Sequence, residues 1–171
     1  KGPFAGTQAR TSAMWVRDAV IYSVYLRSFS PEGTFKGLER RIPELKDLGI
    51  TTLWLLPIHP VGVKNRKGTL GSPYAVQDYY GINPEFGTMD DFDELLAAVH
   101  RLGMRLIMDV VVNHTSDQHP WFVAAAQNNT TYRDFFRWSA TNPGQTGPWG
   151  QTVWHWNASG WYYGLFWSGM P

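Results

Sequence analysis

The chain has 171 residues, of which 15 are basic and 14 acidic, giving a formal net charge of +1. This balance gives no reason to expect a nucleic acid or another highly charged partner. The absence of cysteine excludes disulfides and thiolate metal ligands. No apolar run approaches the roughly 18 residues of a membrane span, so no membrane partner is expected.

The first part of the chain predicts strands that alternate with helices. Residues 1–14 are small and polar and are interpreted as an arm or linker. Residues 20–26 are rich in β-branched and aromatic side chains and predict a first strand, and residues 51–56 predict a second. Between them, apolar residues at helical spacing over 38–48 predict a helix, whose start we place near Pro43.

The next segment predicts a long loop followed by a second helix. Residues 57–87 carry many glycines, prolines and tyrosines, and a loop of this length inside a domain is usually functional or disordered. Thr88 followed by two aspartates predicts a helix start, because threonine caps the first turn and acids favour it. Gly103 marks the end of this helix.

Residues 105–112 form an apolar, largely β-branched run that is typical of a strand buried on both faces of a parallel sheet. Asp109 interrupts the run, and Asn113 and His114 close it. A carboxylate in a dry strand needs a partner, so Asp109 is either a structural ion paired with an arginine or part of a site. His114 is either a site residue or a polar group satisfied by the protein, and no second histidine stands at zinc-ligand spacing.

The order strand, helix, strand, helix, strand predicts an α/β fold with a parallel sheet and right-handed crossovers. Residues 120–126 predict a short helix. Beyond it, residues 128–171 are rich in aromatics and glycine and are interpreted as an inserted subdomain, with residues 15–127 as the α/β part. Aromatic residues can bind the faces of sugar rings, but the same composition suits a small aromatic core, and both interpretations remain open. Seven of the nine tryptophans fall in the last third of the chain, which are Trp121, Trp138, Trp149, Trp154, Trp156, Trp161 and Trp167.

Four segments together resemble the α-amylase family, glycoside hydrolase family thirteen. DVVVNH at 109–114 is similar to the first signature region of that family. AVIY at 19–22 resembles its first barrel strand, GITTLWLLP at 49–57 its second, and YAVQDYYGINPEFGT at 74–88 the segment before its second helix. The resemblance implies the first three βα units of a TIM (β/α)8 barrel, with an insertion like domain B after the third strand.

The resemblance also assigns roles to individual residues. Tyr74 matches the aromatic platform under the sugar on the donor side of the cleaved bond, and His114 matches the histidine that hydrogen-bonds that sugar. Asp109 and Asp78 take supporting positions around the site. Asn113 matches a position that binds calcium in some members through its side-chain oxygen, which makes calcium the one cofactor to consider.

The family members are retaining glycosidases or transglycosidases, whose chemistry needs two carboxyl groups about 5 Å apart. The family supplies these groups from its fourth and fifth strands, and no Asp or Glu follows Asp134 here. We therefore expect the N-terminal part of a larger enzyme acting on α-linked glucans or oligoglucosides. We expect the 171 residues alone to be inactive, and poorly stable because three barrel strands leave an open edge.

Two other classes of protein remain open from the sequence. A non-catalytic amylase-like domain would lack carboxylates at the strand ends of the complete chain. A free-standing carbohydrate-binding module would need only the tryptophans, and it would not require the strand and helix order. The composition suits a secreted or a cytoplasmic bacterial enzyme equally, and leaves the location open.

Overall fold

A parallel sheet of three short strands lies at the centre of the computed structural model, which describes residues 5–8 and 11–171. β1 (Ile21–Val24), β2 (Thr52–Leu55) and β3 (Arg105–Met108) lie side by side in chain order. Their first residues are in register across the sheet. The predicted α/β fold with a parallel sheet is therefore confirmed. Of the predicted N-terminal arm, residues 1–4 and 9–10 lie outside the described residues.

Short helices connect and flank the strands. They are α1 (Met14–Arg17), α2 (Leu26–Phe29), α3 (Phe35–Glu39), α4 (Ile42–Asp47), α5 (Met89–Arg101) and α6 (Pro120–Ala125), with a 3-10 turn at Arg133–Phe135. The predicted helix start near Pro43 is confirmed by α4, and Leu38, the first residue of the pattern, belongs to the separate helix α3. Pro43 stands in the first turn of α4, where its missing N–H costs no helical hydrogen bond, so the proline begins a second helix.

The start of α5 follows the predicted capping pattern. The Thr88 hydroxyl oxygen accepts a hydrogen bond from the Asp91 backbone nitrogen at 3.2 Å, and the Asp91 carboxylate accepts one from the Thr88 nitrogen at 2.8 Å. The helix ends before Gly103, whose φ of 68° places it in the left-handed region that glycine tolerates best. Both predicted boundaries are therefore confirmed.

The hydrophobic core lies between one face of the sheet and the helices. Val24, Leu53 and Leu55 point to this face and are almost completely buried. The helices cover them with buried apolar residues, which are Phe35, Leu38, Ile42, Leu45, Leu95 and Val99. On the opposite face Thr52 is buried but Ile21 and Trp54 are exposed, so the described residues leave part of this face uncovered.

The third strand is shorter than its apolar sequence predicts. β3 ends at Met108, and the last bond across the sheet runs from the Asp109 nitrogen to the Leu55 carbonyl oxygen at 2.9 Å. Beyond it Val110 and Val112 are 66% and 88% exposed. The prediction of a strand over 105–112 buried on both faces is therefore wrong. Its neighbour β2 ends at Leu55, so the following residues have no strand to pair with.

The aromatic-rich segment contains a second, antiparallel sheet. β4 (Trp138–Ser139), β5 (Trp154–Asn157) and β6 (Gly160–Tyr163) lie in the order β4-β6-β5. Phe122 of α6 stacks on Trp138 with a centroid distance of 5.7 Å and contacts Tyr162 at 5.0 Å, which makes a small aromatic core. Trp149 remains 71% exposed, so the aromatic residues do not all serve that core. The domain limits near residues 14 and 127 stay predictions.

Candidate substrate-binding site

The polar residues that follow β3 lie at the carboxyl end of the parallel sheet. The loop between β2 and α5 brings Tyr74 to the same place, where its hydroxyl donates a hydrogen bond to Asp109 Oδ2 at 2.8 Å. This bond, followed by burial, raises the pKa of Tyr74 above its ordinary value. Because the hydroxyl stays protonated, it remains a donor to the carboxylate at neutral pH.

Asp109 differs from its predicted environment. It follows β3 instead of lying within it, and it is only partly buried. No ion pair involves Asp109 among the described residues. The interpretation of Asp109 as a buried ion paired with an arginine is therefore wrong, and the Tyr74 hydroxyl is its partner.

The ring of His114 has a protein partner at each nitrogen. Nε2 donates to the carbonyl oxygen of Tyr74 at 3.1 Å, and Nδ1 accepts from the Asn113 amide nitrogen at 3.2 Å. This pattern fits the neutral tautomer with its proton on Nε2. Burial lowers the pKa of His114 and outweighs the opposing effect of the Tyr74 bond, so the ring is neutral at pH 7. A sugar hydroxyl at this ring would have to share or replace the Tyr74 carbonyl at Nε2.

Asn113 and Asp78 have local partners. Asn113 is exposed and bonds to the adjacent His114 ring. Asp78 accepts a hydrogen bond from the Tyr80 backbone nitrogen at 2.8 Å, which supports the turn that follows Tyr79. The structure therefore brings Tyr74, Asp109, Asn113 and His114 together through hydrogen bonds, whereas Asp78 is bonded within its own loop. The roles of these residues in sugar binding stay predictions.

The described residues do not form a calcium site around Asn113. Calcium takes six to eight oxygen ligands, usually with several carboxylates among them. No group of three or more His, Asp or Glu side chains lies within ligating reach of one point in the part of the chain that the structure describes. Calcium binding at Asn113 therefore stays a prediction.

Tyr79 is a residue of the site that the sequence does not single out. Its hydroxyl donates to the carbonyl oxygen of Val111 at 2.5 Å and lies 3.1 Å from that of His114. The hydroxyl thus reaches the backbone of the segment that carries His114. The sequence shows a tyrosine within an aromatic loop, and it gives no sign that this hydroxyl contacts carbonyls 32 and 35 residues away.

A cavity of about 770 Å³ opens at this end of the sheet. Its walls are mainly apolar and aromatic, with His59, Asn113, His114, Thr115 and Arg137 as polar side chains. Small-molecule sites typically have this size and this mixture of apolar walls with a few polar groups. No Asp or Glu lines it among the described residues, so binding is the chemistry that this wall supplies. The lining residues are His59, Tyr79, Val110, Val111, Val112, Asn113, His114, Thr115, Trp121, Phe135, Phe136, Arg137, Tyr163, Leu165, Met170 and Pro171.

The fold and the site together define a class of protein. Parallel strands with polar groups at their carboxyl ends, beside an aromatic-lined cavity, are typical of the substrate-binding end of a (β/α) barrel enzyme. The family model for the alpha-amylase catalytic domain matches residues 3–171, so the chain belongs to the α-amylase family.

Known proteins support this assignment and show how much of the family domain the chain spans. Alpha-amylase 3 of Dictyoglomus thermophilum is 40% identical over 163 residues, which are 92% of this chain and 30% of that protein. The alpha-glucosidase of Pediococcus pentosaceus is 45% identical over 134 residues, 75% of this chain and 23% of that protein. The structure of trehalulose synthase MutB from Pseudomonas mesoacidophila matches with a TM-score of 0.78 and 33% identity, covering 94% of this chain and 30% of that one. The chain therefore spans about 30% or less of the length of these relatives, and its strands are the first of their barrel.

Proposed function

We propose that this chain forms the donor-subsite wall of a retaining α-glycosidase that acts on α-linked glucans or oligoglucosides. The observation that carries the proposal is the hydrogen-bonded group of Tyr74, Asp109 and His114 at the carboxyl end of the sheet. The names of the relatives support an α-linked sugar substrate, since they include an alpha-amylase and an alpha-glucosidase.

Each residue has a defined part in the proposed binding. The ring of Tyr74 is partly exposed and offers an apolar face to the sugar, while its hydroxyl is held by Asp109. The neutral His114 ring offers its Nε2 proton to a sugar hydroxyl in exchange for the Tyr74 carbonyl. Bond cleavage with retention requires a carboxylate nucleophile and an acid/base about 5 Å apart, which we assign to parts of the family domain outside these 171 residues.

Calcium at Asn113 is not part of the proposal, because calcium needs several oxygen ligands and the described side chains form no cluster of three or more His, Asp or Glu. No helix in the described part of the chain has the length and apolar character to cross a membrane.

The test uses the full-length enzyme encoded by the source gene. It measures which anomer is released first and how substitutions of Tyr74 and His114 change kcat/KM. We expect maltooligosaccharide or isomaltooligosaccharide hydrolysis to release the α-anomer first, as observed by proton NMR. Because each substitution removes a direct sugar contact, Tyr74→Ala and His114→Ala should each lower kcat/KM by about tenfold to a hundredfold. Tyr80→Ala is the matched control, since Tyr80 is 79% exposed and its side chain takes no part in the hydrogen bonds that join Tyr74, Asp109 and His114. Release of the β-anomer, or full activity of both site variants, would contradict the proposal.

A second candidate function is non-catalytic sugar binding, either by an amylase-like domain that lacks the catalytic carboxylates or by a carbohydrate-binding module. Its supporting observation is the exposure of Trp149 and Trp156, which leaves much of both indole rings accessible to ligands. The same protein sample separates the two functions. Oligosaccharide binding by calorimetry without any hydrolysis, in a full-length chain that lacks strand-end carboxylates, would favour the binding function.

A further inference from the structure

The segment that carries His114 has almost no backbone support of its own. The ladder to β2 ends with the bond from the Asp109 nitrogen to Leu55, and the next backbone bond along the chain is from the Thr115 nitrogen to the Pro171 carbonyl at 3.1 Å. Among the described residues, no backbone–backbone hydrogen bond involves residues 110–114. The backbone that carries the His114 ring therefore depends on side chains that reach this stretch, while the ring itself also bonds to the Tyr74 carbonyl.

Tyr79 is the side chain that reaches it. Its hydroxyl lies 2.5 Å from the Val111 carbonyl oxygen and 3.1 Å from the His114 carbonyl oxygen. A single hydroxyl therefore contacts the backbone at both ends of the 111–114 stretch. A phenol carries one proton, which points to the nearer oxygen and interacts more weakly with the second. Burial raises the pKa of Tyr79, so the group remains a donor throughout the neutral range.

Packing fixes the ring that carries this hydroxyl. The ring of Tyr79 contacts His59, His119 and Trp121, with centroid distances of 5.7, 5.1 and 5.6 Å. The Trp121 backbone nitrogen donates to His119 Nδ1 at 3.1 Å, which fixes two of the three neighbours against each other. A hydroxyl on a ring held from three sides has little rotational freedom to lose when it binds a carbonyl.

We propose that Tyr79 is a positioning residue, which holds the 111–114 backbone so that His114 meets the sugar in the required orientation. The inference rests on the proposed function, because His114 must bind the sugar for its position to affect activity. Tyr79 itself need not touch the substrate, and its effect passes through His114. A small displacement of a binding group can cost a large part of the rate.

The experiment uses the full-length enzyme and compares Tyr79→Phe with Tyr80→Phe. The first variant keeps the packed ring and removes the hydroxyl, whereas the second removes a hydroxyl from the neighbouring, 79% exposed tyrosine. We expect Tyr79→Phe to lower kcat/KM on a maltooligosaccharide about five- to tenfold, the size of one lost hydrogen bond, and Tyr80→Phe to change it less than twofold. Equal activity of the two variants would overturn the proposal.

A double-mutant cycle separates positioning of His114 from a general effect on structure. In the His114→Ala background, Tyr79→Phe should cause no further loss, because the group that Tyr79 positions is absent. The same five- to tenfold loss in both backgrounds would show a structural role and overturn the proposal. If His114→Ala alone leaves kcat/KM unchanged, the proposed function is contradicted at His114. If His114→Ala lowers kcat/KM but Tyr79→Phe does not, only the positioning role of Tyr79 is contradicted.

Rescue at the same position keeps the proposal falsifiable if Tyr79→Phe folds poorly. Incorporation of 4-aminophenylalanine at position 79 restores a donor at the end of the ring without the phenol oxygen. We expect this protein to regain most of the kcat/KM that Tyr79→Phe loses. An aminophenylalanine protein that melts like the wild type but keeps the low kcat/KM would contradict the role of the donated hydrogen bond.

Discussion

At the scale of single residues, Tyr74 combines two functions that substitutions can separate. Tyr74→Phe keeps the partly exposed ring and removes the hydrogen bond to Asp109. We expect about a tenfold loss of kcat/KM in the full-length enzyme, because a bond to a carboxylate is stronger than a neutral one but this one is partly exposed to solvent. Tyr74→Ala removes the ring as well and should lose clearly more activity. Equal losses in the two variants would show that the ring face contributes nothing.

A half-buried histidine, His114, and a buried one, His119, give the protein a predictable pH dependence of stability. Burial lowers the pKa of His114 and of His119, and the side chain of His119 is 1% exposed. A lowered pKa means that the unfolded chain binds protons more readily, so stability is complete above the ordinary histidine pKa of about 6.5. It should fall as the pH drops below that value towards the folded-state pKa values.

The contribution of His119 can be measured by urea unfolding of the full-length protein at pH 7.5 and 5.5. His119→Asn offers a side-chain oxygen in place of Nδ1 as acceptor for the Trp121 nitrogen and carries no titrating group. We expect this variant to show a smaller decrease in midpoint between the two pH values than the wild type. His100→Gln, which changes an exposed histidine of α5, should show the wild-type decrease. An unchanged decrease in His119→Asn would contradict the assignment.

The sequence predicts a site residue when a short motif contains it. It does not predict a residue whose role depends on contact with a distant part of the chain. Tyr74 and His114 stand in segments that resemble the family, and the structure places them in contact. Among the described residues no arginine pairs with Asp109, and the sequence does not show that the Tyr74 hydroxyl from the preceding loop is its partner. Tyr79 acts on a backbone that no local pattern connects to it.

At the scale of secondary structure, the capping box of α5 supplies a direct test. Thr88→Ala removes the hydroxyl that accepts from the Asp91 nitrogen and leaves one donor of the first turn unpaired. The expected cost is about 1 kcal/mol, and local opening of the first turn should speed amide exchange about fivefold. Hydrogen–deuterium exchange of residues 89–92 in the full-length protein measures it. Thr141→Ala, at an exposed position outside any helix or strand, is the control and should leave these rates unchanged.

The helices and strands also show what an apolar pattern leaves undetermined. The run over 105–112 predicts a strand correctly as far as Met108, because β2 offers a partner up to Leu55. Val110 and Val112 continue the apolar pattern, but the pairing of β3 with β2 ends before them. Strand length is set by the neighbouring strand, and that information lies elsewhere in the chain. Similarly, Pro43 indicates where α4 begins. The spacing of the apolar residues does not show that Leu38 lies in a separate helix, α3.

At the scale of the whole molecule, the exposed apolar surface of the sheet sets the behaviour of the chain in isolation. Ile21 and Trp54 lie exposed on one face, and Val110 and Val112 extend past the end of β3. β1 and β3 are edge strands of the sheet that the described residues form. Unpaired edges and contiguous exposed apolar side chains favour association with other strands, either from the same protein or from another copy.

We therefore expect the 171-residue chain expressed alone to self-associate and to bind the dye ANS, whereas the full-length enzyme should be free of both effects. Sedimentation velocity at several concentrations measures association. Val110→Lys with Val112→Lys places charge on the exposed segment after β3 and should shift the isolated chain towards monomer, since inward or edge charges oppose strand pairing. Val63→Lys changes an exposed valine of the loop between β2 and α5 and serves as the control. A monomeric, ANS-negative isolated chain would contradict this expectation and show that the described core is sufficient by itself.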